Sequence, residues 1–413
     1  MQARYLLTIL ASFVASIALT GCSTSPAHKV TTKVRLADLP AFASLQMANK
    51  DAAWGVSSTG SLWRTTDARR SWRYITLPGV PHSSISQVVD PIGVRTAWVA
   101  ASSDSIVADR LSGPVLLFRT TNGGRTWRAM PKPPDAAGLP LVGSLDFLNA
   151  EDGWLILQAP HGMGSSPGVL YRTNDGGASW QGVSRTSIMN VSPGAPPAPT
   201  LPVAGQVEFT SPQAGWLVGG PISTGPRSLY ATTDGGVHWR TAPLPTVPAG
   251  ATFDSVVAAP RSDGNLLTVP IAYQDASGQT GVALLRSSDR GQTWEAGALL
   301  AGGADISLLS AHVALALRLG DYDPLHPDRN VPASLWRTDD GGVTWQLVAN
   351  LSRALKSQLA GPLVEISMTF LTVRTGVVWA TQYNAPGAQR TLWLDETTDG
   401  GRTWIPRWPT ARH

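Results

Sequence analysis

Apolar and polar residues alternate along this chain in short runs, and each run is followed by a turn rich in glycine, proline, aspartate or asparagine. Alternation of this kind predicts half-buried β-strands. It is clearest in two successive segments, where strands are predicted at 143–148, 153–158, 169–173, 179–183, 206–210, 215–218, 228–232 and 238–241. Helical periodicity is confined to 351–359, where apolar residues four apart predict one or two helical turns.

A polar box recurs seven times between these strands and can be written Ser/Thr-x-Asp-x-Gly-x-Ser/Thr-Trp. Successive box centres lie 51 to 59 residues apart, at Asp67, Asn122, Asp175, Asp234, Asp289, Asp340 and Asp399. The tryptophan is present in every copy, at Trp72, Trp127, Trp180, Trp239, Trp294, Trp345 and Trp404. A period near fifty residues predicts a repeat architecture.

The residue types of the box explain a hairpin turn. A carboxylate accepts hydrogen bonds from turn N–H groups, and glycine supplies the positive φ that the reversal needs. The tryptophan then covers the hairpin as a large apolar lid. Three boxes depart from the pattern, with Arg69 at the glycine position, Asn122 for aspartate and His238 for serine or threonine, so we expect those hairpins to be held less tightly. A group repeated once per hairpin is a structural residue, because an active site needs it only once.

The box resembles the Asp-box, or BNR, repeat of sialidase-like propellers. The resemblance covers nearly the whole mature chain and implies an all-β, seven-bladed β-propeller of four-stranded antiparallel blades over 40–413. The segments 149–155 and 170–177 also look like the repeat of the photosystem II assembly and stability factors. Those are lumenal propellers, lipid-anchored in cyanobacteria, that chaperone a newly made membrane subunit. The implied role is a non-catalytic protein-binding or assembly scaffold at the membrane surface.

The first residues resemble a bacterial lipoprotein signal. Arg4 is followed by an apolar run that ends in Leu19-Thr20-Gly21-Cys22, and Cys22 is the only cysteine. We therefore expect a signal peptide at 1–21, lipidation at Cys22 and a tether at 22–39. The protein would be exported and anchored by its lipid to the bacterial cell membrane or outer membrane. Residues 29–36 alternate enough for a short strand. Pairing with the last blade to help close the ring is one arrangement for it, but Pro406 weakens the terminal strand and the sequence does not settle how the ring closes.

In a propeller the chain runs through strands A, B, C and D from the central channel outward, so the boxes lie on one face as C–D turns. The longer B–C and D–A loops lie on the other face, where we expect a protein partner. One such loop carries the most polar cluster of the sequence, at Asp321, Asp323, His326 and Asp328. These side chains form a speculative ligand face, and no metal or other cofactor is predicted, because their spacing matches no calcium loop.

A glycan-binding protein or sialidase-like glycoside hydrolase is the alternative. Asp146 and Glu208 occupy equivalent places in strand A, where Gln46 and Thr369 stand in other repeats, so polar side chains line part of the channel. Paired carboxylates can perform acid–base chemistry on a bound sugar. The Arg-Ile-Pro motif of sialidases is absent, however, and the chain has only five glutamates. We expect no enzyme activity and no catalytic residues.

The charge of the chain argues against nucleic acid as a partner. Charged residues make up 15% of the chain and the formal net charge is +4. The arginines that precede the boxes are spread around the ring, so no basic block for nucleic acid is predicted. Spread arginines could still contact acidic proteins or lipid headgroups.

Overall fold

The computed structural model describes residues 33–34, 42–57, 59–67, 71–80, 87–102, 106–107, 110–111, 114–160, 167–186, 200–202, 205–220, 228–244, 251–276, 280–302, 305–318, 333–351, 364–383 and 389–406. In these residues the strands form seven sheets, each built on four antiparallel strands and arranged as the blades of a β-propeller. Within each blade the four main strands follow one another in chain order and pair with their neighbours. Among the same residues, no helix is long and apolar enough to cross a bilayer.

The first four blades each contain strands A, B, C and D in chain order. Blade 1 consists of Phe42–Met47, Ala53–Ser57, Leu62–Thr65 and Trp72–Ile75. Blade 2 consists of Gln87–Ile92, Thr96–Ser102, Val115–Thr120 and Arg128–Met130. Blade 3 consists of Leu141–Phe147, Gly153–Gln158, Gly168–Thr173 and Gln181–Thr186. Blade 4 consists of Gln206–Phe209, Gly215–Gly219, Ser228–Thr232 and Arg240–Thr241.

The remaining blades repeat the arrangement. Blade 5 consists of Ala251–Val256, Leu266–Asp275, Thr280–Ser287 and Glu295–Ala296. Blade 6 consists of Ile306–Leu308, Ala314–Arg318, Ser334–Thr338 and Gln346–Asn350. Blade 7 consists of Val364–Phe370, Gly376–Tyr383, Gln389–Thr397 and Ile405–Pro406. Short additional strands lie at Lys33–Val34, Ile106–Val107, Arg110–Leu111, Thr200–Leu201, Arg261–Asp263 and Leu300–Ala301.

Strand D begins later than the sequence predicts. The pattern places its start at or just before the box tryptophan, but it starts one residue after it in blades 3 and 4, at Gln181 and Arg240. The box hydrogen bonds occupy the chain up to the residue before the tryptophan, and the indole packs back over the turn glycine, as Trp180 does on Gly177. The strand ladder can therefore form only beyond it.

Aromatic side chains pack between neighbouring blades from blade 1 to blade 5. Phe147 of blade 3 stacks on Trp98 of blade 2 with ring centroids 3.8 Å apart and planes at 9°. The indole N–H of Trp98 also donates to the carbonyl oxygen of Gly176 in the box of blade 3, at 2.9 Å. Blades 3 and 4 repeat the ring stack, with Trp154 and Phe209 3.7 Å apart. These strand-B tryptophans therefore pack between blades, as their phasing predicts.

The ring closes by packing between the last and first blades. The indole N–H of Trp379 in blade 7 donates to the carbonyl oxygen of Phe42 in blade 1, at 3.2 Å. One apolar cluster includes Phe42 and Leu45 together with Ile366 and Phe370. Among the described residues, blade 7 supplies all four of its own strands, so none of these strands is exchanged to close the ring.

The prediction that 29–36 would pair with the last blade is wrong. The strand Lys33–Val34 pairs antiparallel with the outer strand of blade 1, where Lys33 lies opposite Arg73 and Val34 opposite Trp72. The outer strands of blades 1 and 7 both offer an edge, and the edge of blade 1 is nearer along the chain. The signal peptide, Cys22, the polar loop around 321–328 and the helical turn expected at 351–359 lie outside the described residues, Leu351 excepted.

Candidate functional site

The box turns hold themselves together through their own carboxylates. In blade 3, Asp175 Oδ1 accepts the N–H of Ser179 at 2.9 Å and the hydroxyl of Thr173 at 2.7 Å. Its second oxygen accepts the Ser179 hydroxyl at 2.6 Å. The Ser179 hydroxyl contributes most to lowering the pKa of Asp175 to about 2, and the other turn hydrogen bonds add to it. Asp175 is therefore ionised at neutral pH and occupied within its own turn.

Two of the divergent boxes form the same turn with different groups. Asn122 Oδ1 accepts the N–H of Thr126 at 3.0 Å, and its amide donates to the Thr126 hydroxyl at 2.8 Å. In blade 4, Nδ1 of His238 lies 2.6 Å from Asp234 Oδ2 and replaces the usual hydroxyl. Both turns therefore keep the hydrogen bonds of the box, and the looser hairpin expected at each of these two positions stays a prediction. In the first box, the carboxylate of Asp67 still accepts the N–H of Ser71 at 3.0 Å.

The arginine before several boxes is a packing residue. Arg64, Arg119 and Arg172 lie over the tryptophan opposite them in strand B, with the guanidinium carbon 4.5, 4.8 and 5.3 Å from the ring centroid. The register places each pair directly across the B–C ladder, for example Trp154 opposite Arg172. Each guanidinium then reaches the first glycine of the box in the next blade, as Arg119 does at Gly176. These arginines are mostly used inside the ring, so they form no general basic surface.

Carboxyl groups line one sector of the central channel. Asp90, Asp146 and Glu208 stand at the same position of strand A in blades 2, 3 and 4, each opposite the strand-B tryptophan. Asp90 Oδ2 accepts the N–H of Phe147 in blade 3. Asp146 Oδ2 accepts the N–H of Phe209 in blade 4, at 2.7 Å. Each of the two aspartates therefore joins its own blade to the next.

A serine or aspartate two residues before this position, in strand A of blade 3 and directly before strand A of blade 6, makes a second link of the same kind. Ser144 Oγ accepts the N–H of Val207 at 3.1 Å, and Asp305 Oδ2 accepts the N–H of Met368 at 2.6 Å. We call these side-chain to backbone hydrogen bonds between neighbouring A strands the inner clasps. They satisfy backbone N–H groups that no strand ladder reaches at the channel wall.

Burial raises the pKa values of the channel carboxyls. It raises the pKa of Asp90 to about 7, against the lowering effect of the Phe147 N–H, and Glu208 adds a smaller upward effect. Burial also raises the pKa of Asp146 to about 8, with a further contribution from Asp90. The pKa of Glu208 is raised by burial despite its ion pair with Arg261, which projects from blade 5. The sector can thus hold and release protons near neutral pH.

Sequence reasoning found part of this sector. The sequence predicts Asp146 and Glu208 as equivalent channel residues, and the structure brings them together, while Gln46 and Thr369 hold the same position in blades 1 and 7. Asp90 was missed, although its place eight residues before Trp98 matches that of Asp146 before Trp154. Within the described residues, no group of three or more His, Cys, Asp or Glu side chains could hold a metal ion. The speculative ligand face at 321–328 lies outside those residues.

Comparison with known proteins agrees with the fold. The structure of YCF48 from Cyanidioschyzon merolae is similar with a TM-score of 0.51 at 17% identity, over 86% of this chain and 94% of that chain. An ancestral GH74 enzyme is similar with a TM-score of 0.48 at 13% identity, over 89% of this chain and 48% of that chain. Likeness at this level of identity extends to the fold alone. The seven sheets of the structure, together with the likeness to YCF48, define the class of protein as a seven-bladed β-propeller.

The sequence comparison gives a short match. A xyloglucanase from a Paenibacillus species is 25% identical over 151 residues, which are 33% of this chain and 14% of that enzyme. The matched segment thus spans about a seventh of its curated relative. No protein-family model matches the chain.

Proposed function

We propose that this protein is an exported, lipid-anchored β-propeller that binds another protein at the membrane surface and does not catalyse a reaction. The observation that carries the proposal is the use of the channel carboxyls. Asp90 and Asp146 would be prime candidates for acid–base chemistry, and both accept a backbone N–H from the next blade. A group held in this way supports the ring and is poorly placed to turn toward a substrate.

The sequence supplies the anchor and the binding surface of the proposal. The lipoprotein-like segment ending at Cys22 supports export and lipidation, to the cell membrane or the outer membrane. The repeated box supports assignment as an Asp-box repeat, whose turns occupy one face. We infer that the long loops lie on the opposite face, because B–C and D–A connections share that face in a propeller, and the loop 320–332 is the most polar of them in sequence. A rigid ring that carries variable loops on one face suits recognition of a protein partner.

An affinity experiment tests this proposal. The lipidated protein is used as bait on detergent-solubilised membranes of its own organism, beside a variant in which 320–332 is shortened. Arg290→Gln serves as the control, because Arg290 lies in a box turn on the other face. A membrane protein captured by the parent and the control, and lost with the loop variant, is the expected result. Equal capture by all three proteins would move the partner away from this loop.

Glycan recognition or hydrolysis is the second candidate, and a specific observation favours it. Asp146 and Glu208 combine raised pKa values with a neighbouring guanidinium from Arg261, an environment in which one carboxyl stays protonated while another can ionise. Hydrolysis of a panel of polysaccharides, measured as new reducing ends, tests it. Activity abolished by both Asp146→Asn and Glu208→Gln in folded protein would establish a glycoside hydrolase and overturn the scaffold.

A further inference from the structure

The box face is unusually basic at one seam, between blades 1 and 2. Four arginines from the two blades meet there: Arg64, Arg73, Arg95 and Arg125. Arg64 is buried and stacks on Trp54, whereas Arg95 and Arg125 are exposed. We call these four side chains the arginine seam.

The contacts of the arginine seam are with neutral groups. Arg73 Nη2 lies 3.5 and 3.4 Å from the carbonyl oxygens of Gly123 and Gly124, and Arg95 Nε lies 3.5 Å from that of Thr121. Arg64 likewise donates to a backbone carbonyl. Backbone carbonyls orient a guanidinium but carry no net charge, so these contacts neutralise none of the four guanidinium charges.

Ion pairing does not offset these charges within the described part of the chain. Among the ion pairs between described residues, none involves the four arginines. The turn they surround is the one whose central aspartate is replaced, by Asn122. The pKa of Arg64 is lowered to about 10, first by burial and then by the charges of Arg73 and Arg125, as expected where like charges crowd together.

The equivalent seam between blades 6 and 7 shows that the fold does not require this charge. The backbone carbonyl of Arg374 accepts the N–H of Gly400 at 2.8 Å, and the carbonyl of Arg95 accepts the N–H of Gly123 at 2.7 Å. These equivalent hydrogen bonds show that Arg374 corresponds to Arg95. The blade 6–7 seam has three arginines and three aspartates, a sum of zero, at Arg337, Asp339, Asp340, Arg374, Asp399 and Arg402. The corresponding positions of the blade 1–2 seam have four arginines and one aspartate, a sum of +3, at Arg64, Asp67, Arg73, Arg95 and Arg125.

The arginine seam also lies where the N-terminal chain meets the ring. Lys33 pairs with Arg73 on the outer edge of blade 1. Cys22 is eleven residues upstream (33 − 22), a length that spans at most about 36–40 Å when fully extended. A lipid attached at Cys22 would therefore hold this seam near the bilayer. Val94, 37% exposed, adds an apolar side chain beside the arginines.

We propose that the arginine seam docks on the phosphate headgroups of the membrane that holds the anchor. The inference rests on the proposed lipid anchoring and adds an orientation to it, with the edge of blades 1 and 2 against the bilayer. Guanidinium groups bind phosphate oxygens in pairs. The anchor raises the local concentration of headgroups, and binding of these headgroups by the arginine seam fixes the orientation of the propeller on the membrane.

Vesicle co-sedimentation tests the docking without the anchor. The mature chain with Cys22→Ser carries no acyl group, and its binding is measured on phosphatidylcholine vesicles with and without phosphatidylglycerol. We expect salt-sensitive binding only when phosphatidylglycerol is present. The double variant Arg95→Gln, Arg125→Gln should lower the partition coefficient about 25-fold, about fivefold for each arginine.

Two further variants keep the test independent of folding. Asn122→Asp restores the box aspartate and places a carboxylate amid the arginines, so it should weaken vesicle binding about fivefold while the turn stays bonded. Arg374→Gln, Arg402→Gln removes the matched exposed pair of blade 7 and should leave binding unchanged.

Three outcomes would overturn the docking: no binding of the parent to anionic vesicles, equal losses in the two double variants, or full release by inorganic phosphate at constant ionic strength. The last outcome would indicate a small-anion site. Acylation of Cys22 is measured separately by mass spectrometry of the protein extracted from membranes. Vesicle binding without acylation would contradict the anchor alone, and acylation without vesicle binding would contradict the docking alone.

Discussion

Replacing Asp146 by asparagine should make the stability of the ring less dependent on pH. The folded-state pKa of Asp146 is raised to about 8, from 3.8, chiefly by burial. Between these two values the folded protein holds a proton that the unfolded chain has released. The stability associated with this proton is therefore complete below about pH 4 and is lost as the pH rises toward 8.

The expected size follows from the linkage relation. Each pH unit inside this window lowers the free energy of unfolding by about 1.4 kcal/mol for one such group, or about 3 kcal/mol from pH 5 to pH 7. Asparagine cannot ionise, and its Oδ1 can still accept the Phe209 N–H that Asp146 now accepts at 2.7 Å. We therefore expect the free energy of unfolding of Asp146→Asn to lack this fall of about 3 kcal/mol between pH 5 and pH 7. The variant should then be more stable than the parent at pH 8.

Urea unfolding followed by tryptophan fluorescence at pH 5, 6, 7 and 8 measures the effect. Asp305→Asn is the control, since Asp305 makes an inner clasp to Met368 in a different sector of the ring. A pH dependence of Asp146→Asn that matches the parent would refute the assignment of a protonated carboxyl. So would a loss of stability at pH 8, which would show that the ionised form supports the clasp.

Three further predictions concern the seams and turns. Asp175→Ala should lower the free energy of unfolding by about 1 kcal/mol, and Asp175→Asn by less, because the second box already uses an asparagine; urea titration of both decides it. Phe209→Ala should cost about 3–5 kcal/mol in the same assay, because it removes a ring stacked at 3.7 Å on its neighbour, and a cost below about 1 kcal/mol would contradict this packing. Trp379→Phe removes the N–H donor between blades 7 and 1 and should lower the free energy of unfolding by about 1–2 kcal/mol. Trp98→Phe loses the same type of hydrogen bond between blades 2 and 3 and serves as the matched control. An unchanged free energy of unfolding for Trp379→Phe would mean that ring closure does not need this bond.

The repeat, the strand order and the box turns could be predicted because their determinants are local. Gly235 and Gly236 have φ of +77° and +97°, values that a side chain would strain, and both glycines are legible in the sequence. The threonine and aspartate of the same turn lie within a few residues of each other. Because the box occurs seven times, the turn can be predicted even where one copy departs from the pattern.

The contacts between blades could not be predicted in the same way. Asp90 meets the N–H of Phe147 across 57 positions of sequence, and only the assembled ring places the two side by side. The prediction of where Lys33–Val34 pairs was wrong for a related reason. The outer strands of blades 1 and 7 are equally suited to pair with a short strand, and the sequence does not distinguish between them. The arginine before the box was visible as a recurring residue, but its stacking on the strand-B tryptophan depends on strand register.

Departures from the repeat are the most informative residues of this chain. A position that holds the fold should be filled alike in every blade, so a difference that costs no turn hydrogen bond calls for another explanation. Asn122 keeps the turn bonded while removing a carboxylate from the most basic seam. In the same blade, Asp90 places a carboxyl with a raised pKa on the channel wall. Blade 2 thus places positive charge at its outer turn and a proton-binding carboxyl on its inner strand, and the proposed docking on phosphate headgroups uses the first of these two features.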